Sequence, residues 1–511
     1  MRVTNKIMQN NTLYNINQNK VVQDQLHTQI TTRKKVTKPS DDPVIAIRAL
    51  RLRSNLNQVS QYYERNIPDA NQWLTLTETA IDTTVEVISG MIDECRRAAK
   101  GSLTNSDKDI ILESLKQLRS EVYATGDSDY AGRTIFTGYR TDMKLSFQAP
   151  ENKSFTITEQ LNNKAVDSFT YVNTGNLRTV NESTYTSNAI TTEQEIVSTQ
   201  VNRIRLSYDN LEKGTVPVIN KTISYNPDGT PVQAPLFTPT VSSKDADPDP
   251  YRVVSDKDYA GYDSDAAIFI PETGEILLGE NVFNDIMKLA PETEITVTYE
   301  KANWVTGDLR PEHYFACESD GVKYNESYLT ENGKSAKQVI SYDVGFNQKL
   351  EINTTADEIF THGIGRTVDE LINLLDKVSD IDNVVAKLES MQGNGAYNQT
   401  HVERKLNAAK KAQAFLNDTI QRTFEKGITE FQNHLEAANT ALTAVGNRGL
   451  RLELVENRLN TQKSSFEQLT SENEDADLED LAIRLKSANL TYDAALAATG
   501  KMLNTSLLNY L

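Results

Sequence analysis

The five histidines of this 511-residue chain are the side chains best suited to bind a metal or to act as a base near neutral pH. They are scattered singly, and none is followed by a second ligand at the spacing of a zinc motif. We therefore predict no metal centre. The histidines are His27, His313, His362, His401 and His434.

One acidic segment imitates a calcium site without completing it. Asp245, Asp247 and Asp249 start like a calcium-binding loop, but Pro250 stands where the sharp turn requires glycine. Asp256 replaces the bidentate glutamate that would close the loop. We interpret this segment as a charged linker.

The other reactive groups form no recognisable site. Gly363-Ile364-Gly365 lacks the third glycine of a dinucleotide-binding turn. Cys95 and Cys317 are far apart in sequence, so no disulfide is predicted, and Cys95 falls on an apolar helical stripe where we expect a small buried side chain. The sequence predicts no catalytic residue and no cofactor, and hence no enzyme.

Charge and hydropathy exclude two further classes of protein. Lys and Arg number 53 against 71 Asp and Glu, which gives 53 − 71 = −18, and a polyanion is repelled by nucleic acid and by anionic membrane surfaces. No run of about 20 apolar residues is present, so no membrane span is predicted. The first residues also lack the apolar stretch of a cleaved signal peptide.

Proline divides the sequence into three parts, because proline inside a helix removes a hydrogen bond and clashes with the preceding turn. Eleven of its 14 positions fall between Pro150 and Pro311. Helical periodicity marks both flanks, whereas turn signals and strand alternation mark the middle, as in Ile295, Val297 and Tyr299. The sequence therefore predicts helix, then β structure, then helix.

The N-terminal flank predicts long helices. Asp42 and Pro43 are typical of a helix N-terminus. Pro68, farther on, predicts a kink or a short break. Apolar and small residues then repeat by sevens in two interleaved rows, which predicts a coiled-coil-like seam. The seam comprises Ile67, Leu74, Ile81, Ile88 and Cys95 with Ala70, Thr77, Thr84, Met91 and Ala98.

The C-terminal flank predicts antiparallel partners for those helices. A stripe that includes Phe431 and Leu435 ends at Gly446 and Gly449, after which we expect a separate, shorter helix. An acidic break at 472–477 precedes a last helix, which we expect to run to the C-terminus.

The two chain ends carry opposite charge, because residues 1–40 are basic and residues 471–511 are acidic. Their opposite charge favours pairing, but the apolar residues are so sparse that we expect each end to be disordered until neighbouring copies cover it. We predict an assembly interface on the helical stripes: Ile16, Leu26, Ile30, Leu74, Ile81, Ile88, Phe431, Leu435, Leu485, Tyr492, Leu496, Leu503 and Leu507.

The predicted fold class is a multidomain α plus β protein. A long antiparallel helical or coiled-coil bundle is built from both chain ends, with a β-rich module inserted. The predicted domains are terminal helices at 1–40 and 475–511, which form an inner core on assembly, a helical bundle at 41–140 and 355–474, and an outer β-rich domain at 141–354.

Several segments of this sequence resemble the flagellar hook-associated protein 3 family, which is part of the flagellin-like superfamily. The resemblance covers both helical flanks and short parts of the middle. The segments are MRVTNKIMQNN at 1–11, PSDDP at 39–43 followed by VIAIRAL, GRTIFTGY at 132–139, PETGEILLG at 271–279, GDLRPEHYF at 307–315 and the final residues 475–511.

This resemblance implies a structural role in the bacterial flagellum. It implies a ring of subunits that joins the hook, through hook-associated protein 1, to the flagellin filament. It also implies an extracellular location at the hook-filament junction, export through the flagellar type III apparatus without a cleaved signal peptide, and a cytoplasmic export chaperone.

Two other functions stay open at this point. Flagellin, the filament subunit, is the first alternative, although VIAIRAL stands where flagellins usually carry an alanine- and glycine-rich stretch. A surface enzyme housed in the central β module is the second, and convergent ionisable residues in a pocket would be its mark.

Overall fold

Helices flank a β-rich middle in the computed structural model, which describes residues 5–99, 105–174, 177, 180, 182–186, 196–243, 249–331 and 338–504. This order confirms the predicted α plus β class. The helices are α1 (Asn5–Thr32), α2 (Pro43–Gln61), α3 (Ile67–Ala99), α4 (Asn105–Gly126), α5 (Arg252–Ser255), α6 (Glu280–Met287), α7 (His362–Met391), α8 (Gln399–Glu474) and α9 (Leu478–Asn504).

The strands form two larger sheets and two small hairpins. They are β1 (Asp129–Tyr130), β2 (Arg133–Thr134), β3 (Glu151–Leu161), β4 (Val166–Val172), β5 (Ser198–Arg205), β6 (Val218–Tyr225), β7 (Pro231–Phe237), β8 (Thr240–Val241), β9 (Ala267–Ile270), β10 (Glu275–Leu278), β11 (Ile295–Trp304), β12 (Ala316–Ser319), β13 (Val322–Tyr324), β14 (Ser341–Gly345) and β15 (Gln348–Glu351). One sheet has the order β13-β12-β3-β11-β6-β7, and the other β4-β5-β10-β9-β8.

The chain separates into two compact units. The first contains the described residues within 1–71, 342–350 and 450–511, and the second those within 72–341 and 351–449. The limits of the three predicted domains stay a prediction.

Helix α2 begins where the sequence predicts it. The Asp42 carboxylate accepts hydrogen bonds from Val44 N at 2.9 Å and Ile45 N at 3.1 Å, and Pro43 occupies the first turn. These bonds satisfy amide groups that have no partner within the helix.

The short break predicted at Pro68 is absent, and a π turn precedes the proline instead. Residues Tyr62–Asn66 form this turn between α2 and α3, and Ile67 N donates to Tyr62 O. Pro68 has no N–H to offer the carbonyl of Glu64. A π turn changes the hydrogen-bond register locally, and the chain therefore stays helical through the proline. The predicted kink stays a prediction.

The seam of α3 is buried as predicted. All ten of its positions are 3% exposed or less. The two threonines in the seam satisfy their hydroxyls inside the helix, since Thr77 Oγ1 donates to Trp73 O and Thr84 Oγ1 to Ala80 O, both at 2.8 Å. A coiled-coil geometry for this seam stays a prediction.

The predicted interruption at Gly446 and Gly449 is wrong, because α8 continues to Glu474. An isolated glycine costs a helix only about 1 kcal/mol relative to alanine. Leu452 and Leu459 are buried beyond the glycines, and burying a leucine contributes about 1.5–3 kcal/mol. The acidic break is confirmed, and the Asp477 carboxylate accepts from Glu479 N at 2.9 Å as α9 begins.

Both larger sheets share one hydrophobic core, with Phe147 stacked on Trp304 at 4.7 Å between ring centroids. The predicted hairpin at residues 266–279 is confirmed as β9 and β10. Its Gly274 has a φ of +61°, and a Cβ there would lie 1.9 Å from Tyr208 O, so this turn requires glycine. Strand β11 shows the predicted alternation, with Ile295, Val297 and Tyr299 buried.

Candidate assembly surface

The two ends of the chain pair with each other in the first unit, where α1 and α9 lie side by side. Gln23 Nε2 donates to Asn489 Oδ1 at 2.9 Å and to Ala488 O at 3.3 Å. The expectation that the ends stay disordered until other copies cover them is therefore wrong for the described residues. Each end supplies the other with a partner within one chain.

A group of ionic contacts lies at the base of this helix pair, which is the place where α1 ends and α9 begins. Glu474 is buried, and Arg53 Nε donates to its carboxylate at 2.6 Å, which lowers the pKa of Glu474. Lys34 Nζ donates to the Asp475 carboxylate at 2.6 Å, which lowers the pKa of Asp475 and raises that of Lys34. Lys35 N donates to Glu474 O at 2.7 Å. The predicted attraction between the basic arm and the acidic tail is thereby confirmed.

The helix pair buries little of its own apolar surface. Ile16 and Leu26 on α1 and Leu481 on α9 are its buried aliphatic residues among the described side chains. Many large apolar side chains of the two helices are instead 42–64% exposed: Ile7, Met8, Leu13, Tyr14, Val21, Val22, Leu478, Ile483, Leu490 and Leu496.

The predicted interface residues of the chain ends therefore divide into two groups. Ile16 and Leu26 are buried in the helix pair, and Leu496 is exposed. Ile30, Leu485 and Tyr492 are half-buried. The side chain of Leu503 and the whole of Leu507 lie outside the described residues.

Four predicted interface residues belong to the interior of the second unit. Leu74, Ile81, Ile88 and Phe431 are 2% exposed or less, and Leu435 is half-buried. The four fully buried side chains cannot contact another copy of the chain, because the chain's own residues already cover them. The prediction that these four residues form an assembly interface is therefore corrected, because they are core residues of the second unit.

The sequence reading missed a second set of spaced apolar residues. Ile7, Tyr14 and Val21 are seven apart on α1, and Ile483 and Leu490 are seven apart on α9. All five are exposed. This spacing is the signal by which they could have been found, since it puts residues on one face of a helix.

Helices α2 and α8 also expose apolar side chains within the first unit. Val44, Ile47 and Leu50 lie on the solvent side of α2, opposite the half-buried stripe through Leu52 and Leu56. Leu450, Leu454 and Leu469 are large apolar residues of α8 that are exposed in this unit.

The histidines occupy separate environments. Within the described part of the chain, no group of three or more His, Cys, Asp or Glu is placed to hold a metal ion. Burial lowers the pKa of His362 to about 3 and that of His313 to about 4, so both are neutral at pH 7. His401 stacks on Tyr185 at 4.7 Å, Thr361 Oγ1 lies 3.2 Å from His434 Nδ1, and His27 is exposed.

The cysteines and the paired glycines have structural environments. Cys95 and Cys317 are buried free thiols, and burial raises the pKa of each to about 12, which suppresses the reactive thiolate. A Cβ on Gly363 would lie 3.0 Å from the His434 ring, and one on Gly365 would lie 2.6 Å from Tyr123 Oη. These glycines let α7 pack closely against α8 and α4.

Two other predictions about sites can be compared with the described residues. Asp245 and Asp247 of the calcium-like segment lie outside them, and Asp249 accepts a hydrogen bond from the Tyr171 hydroxyl. No helix in the described ranges is both long enough and apolar enough to span a membrane.

Comparison with known proteins gives this surface a context. Residues 3–141 match the bacterial flagellin N-terminal helical region. The chain is 30% identical over 144 residues to flagellar hook-associated protein 3 of Salmonella typhimurium and 31% identical over 116 residues to the Escherichia coli protein of that name. These matches cover 28% and 22% of this chain, and 45% and 36% of the relatives.

The chain thus spans less than half the length of the curated relatives it matches. A solved flagellar hook-associated protein from Vibrio parahaemolyticus is similar over 85% of this chain and 100% of its own, at 14% identity and a TM-score of 0.34.

Proposed function

We propose that this chain, a relative of flagellar hook-associated protein 3 that carries a flagellin N-terminal helical region, is a structural subunit of the bacterial flagellum that joins the hook to the filament. Its partners would be further copies of itself in a ring, hook-associated protein 1 on the hook side and flagellin on the filament side. The observation that carries this proposal is the exposed apolar surface of α1 and α9.

That surface has the chemistry expected of an assembly interface. Contiguous exposed apolar patches are unusual on monomers and mark sites of association. Burying apolar area contributes roughly 25 cal/mol per Å², so ten large side chains from each subunit can drive stable packing. In the assembled form, we expect residues 1–40 and 475–511 to form the inner core, the bundle at 41–140 and 355–474 to surround it, and the domain at 141–354 to lie outside.

The same surface bears on how the protein would reach its position. We propose export through the flagellar type III apparatus to an extracellular location, without a cleaved signal peptide. Before export, exposed residues such as Ile483 and Leu490 would favour unwanted association. A cytoplasmic chaperone that covers α9 would prevent this.

Flagellin is the second candidate, because the matched N-terminal region is named for it. A filament subunit would be present along the whole filament, whereas a junction protein is confined to the hook tip. We propose no catalytic activity, and the curated relatives bear the names of flagellar structural components.

Immunogold labelling of isolated flagella with an antibody against residues 141–354 separates the candidates. We expect a single band of label at the distal end of the hook. Label along the filament would instead identify flagellin, and the absence of label from both would reject the flagellar role.

A further inference from the structure

Two cavities of the second unit meet beside the N-terminal turn of α7. Their volumes are about 230 and 340 Å³, and Asp209, Arg366 and Asp369 line both. The larger one falls at the low end of the roughly 300–1,000 Å³ range of small-molecule sites. Neither cavity belongs to the assembly surface described above.

Arg366 is a buried cation without a close anionic partner. Its side chain is 10% exposed, and its Nη2 donates to the carbonyl oxygen of Thr273. The nearest carboxylate oxygen in an ion pair is Asp209 Oδ2, at 4.0 Å from Nη1. Its Nε has no hydrogen-bond partner among the described residues. A buried guanidinium in this state keeps unused capacity to bind an anionic group.

Neighbouring guanidinium groups lack this unused capacity. Arg203 lies 3.0 Å from the Asp167 carboxylate and 2.6 Å from that of Glu370. Arg205 lies 2.7 Å from Glu370. The contrast makes Arg366 the loosely paired cation of this region.

Asp209 is the matching anion. Its Oδ1 lies 3.6 Å from Lys301 Nζ, but the close hydrogen bond of that ammonium, at 2.7 Å, goes to the backbone oxygen of Asp209. The Asp209 side chain is 36% exposed. Its carboxylate can therefore accept hydrogen bonds from a ligand that enters the cavity.

The other charged residues of the larger cavity already have partners. Arg119 pairs with Asp369, Lys301 Nζ lies 3.4 Å from Asp308 Oδ2, and Asp127 Oδ1 accepts a hydrogen bond from Ser146 N at 3.0 Å.

Phe147, Tyr208 and Leu309 supply apolar surface to the same cavity. His362 also lines it, and its Nε2 is buried without a hydrogen-bond partner in the described structure. Arg366 and Asp209 are the loosely paired groups of this cavity, and they have opposite signs. A ligand with one charge would pair with only one of them, whereas a ligand that carries both signs would pair with both.

We propose that this site binds the zwitterion of a small α-amino acid. The ligand carboxylate binds the Arg366 guanidinium, the ligand ammonium binds the Asp209 carboxylate, and the ligand side chain packs on Phe147 and Tyr208. The 4.0 Å between the two charged groups suits this ligand, because its own opposite charges are also adjacent. The binding site is separate from the assembly role and adds a ligand-binding function to the second unit.

Isothermal titration of the full chain with L-leucine tests the proposal. Two analogues that each lack one charge, isopentylamine and 4-methylpentanoate, should bind about tenfold more weakly or worse, because each forfeits a charge-assisted hydrogen bond. Glucose tests a neutral polyol. Tighter binding of glucose or of either analogue, or no detectable heat from millimolar leucine, would overturn the assignment.

Variants localise the binding. Asp209→Asn should weaken leucine binding about tenfold or more, and the fold should survive because this side chain is partly exposed. Arg366→Lys should weaken it as well, since an ammonium cannot reproduce the guanidinium fork. Asp285→Asn, the same chemical change on exposed α6, is the control and should leave binding unchanged. Unaltered affinity in Asp209→Asn refutes the site.

Discussion

Sevenfold spacing of apolar residues occurs both in the seam of α3 and on the terminal helices, with opposite outcomes. In α3, Leu74, Ile81 and Ile88 are fully buried within the second unit. On α1 and α9, residues such as Tyr14 and Ile483 are more than 60% exposed in the first unit. Spacing alone therefore defines a helix face, but it does not say whether the same chain or another copy covers that face.

The second unit buries its own side chains, whereas the terminal helices leave many exposed. Removing a buried charge from the second unit should therefore have the largest effect on the free energy of unfolding. Arg203 is 4% exposed and binds the carboxylates of Asp167, Glu275 and Glu370. Arg203→Met should cost about 3–5 kcal/mol of unfolding free energy, because it leaves buried carboxylates unpaired. Urea unfolding of the purified chain measures this.

Arg422→Met is the matched control for that change, because Arg422 is 65% exposed on α8. It should shift the free energy of unfolding by no more than about 0.5 kcal/mol. Equal stability of the two variants would show that the buried ion pairs contribute nothing.

The seam should be the next most sensitive region. Ile81→Ala should cost about 2–5 kcal/mol, because the deleted atoms leave a cavity in a packed interior. Leu76→Ala on the same helix is the control, since Leu76 is 39% exposed. If thermal melts show the two variants to be equally stable, the seam is not the core that we describe.

A third test uses pH. Burial alone would raise the pKa of Glu275, but the Arg203 and Arg366 charges lower it to about 2. A carboxyl with a depressed folded-state pKa contributes stability that is complete above about pH 5 and is lost as pH falls towards 2. Glu275→Gln should flatten this part of the stability profile by a few kcal/mol, because the variant loses the carboxylate whose pKa is depressed.

The profile of stability against pH from 6 to 2 is to be measured for Glu275→Gln and for Glu318→Gln, an exposed glutamate of β12. The control should retain the acid dependence of the unmodified chain. An unchanged profile in Glu275→Gln would contradict the electrostatic account.

The ionic contacts at the base of the terminal helix pair should matter least for stability. Arg53 is 56% exposed, so its pair with Glu474 is screened by water. Arg53→Gln should cost only about 0–1 kcal/mol in urea unfolding. A loss as large as that of Arg203→Met would mean that this contact is buried far more than the structure shows.

Sequence patterns predicted the elements more successfully than their interruptions. The start of α2 at Asp42 and the β9–β10 hairpin follow from local chemistry, namely a capping carboxylate and a turn that requires Gly274. The break predicted at Gly446 does not occur, because packing over the next turns outweighs a local cost of this size. The break predicted at Pro68 does not occur, because a π turn keeps the chain helical there. Local signals therefore place helix starts well but overstate breaks.

The two candidate sites were less accessible to sequence reasoning. Residues Asp209 and Arg366 are 157 positions apart, and only the packing of α7 against the β-rich part brings them to 4.0 Å. The predicted assembly interface included Leu74 and Ile81, which the chain itself buries. The spacing of residues along the chain predicts neither the contact between Asp209 and Arg366 nor the burial of Leu74 and Ile81.

The most direct test of the account combines assembly and stability in one variant. Ile483 and Leu490 are each 64% exposed, so changing both to Asp should leave the melting midpoint of the monomer nearly unchanged. Cells that lack the native protein and produce this double variant are then scored for label at the hook tip. Lys486→Asp, an exposed change on the same helix, is the control.

We predict that the double variant is exported and folded but absent from the hook tip, whereas the control is incorporated. Normal incorporation of the double variant, with its monomer stability intact, would contradict the claim that the exposed stripe of α9 is an assembly surface.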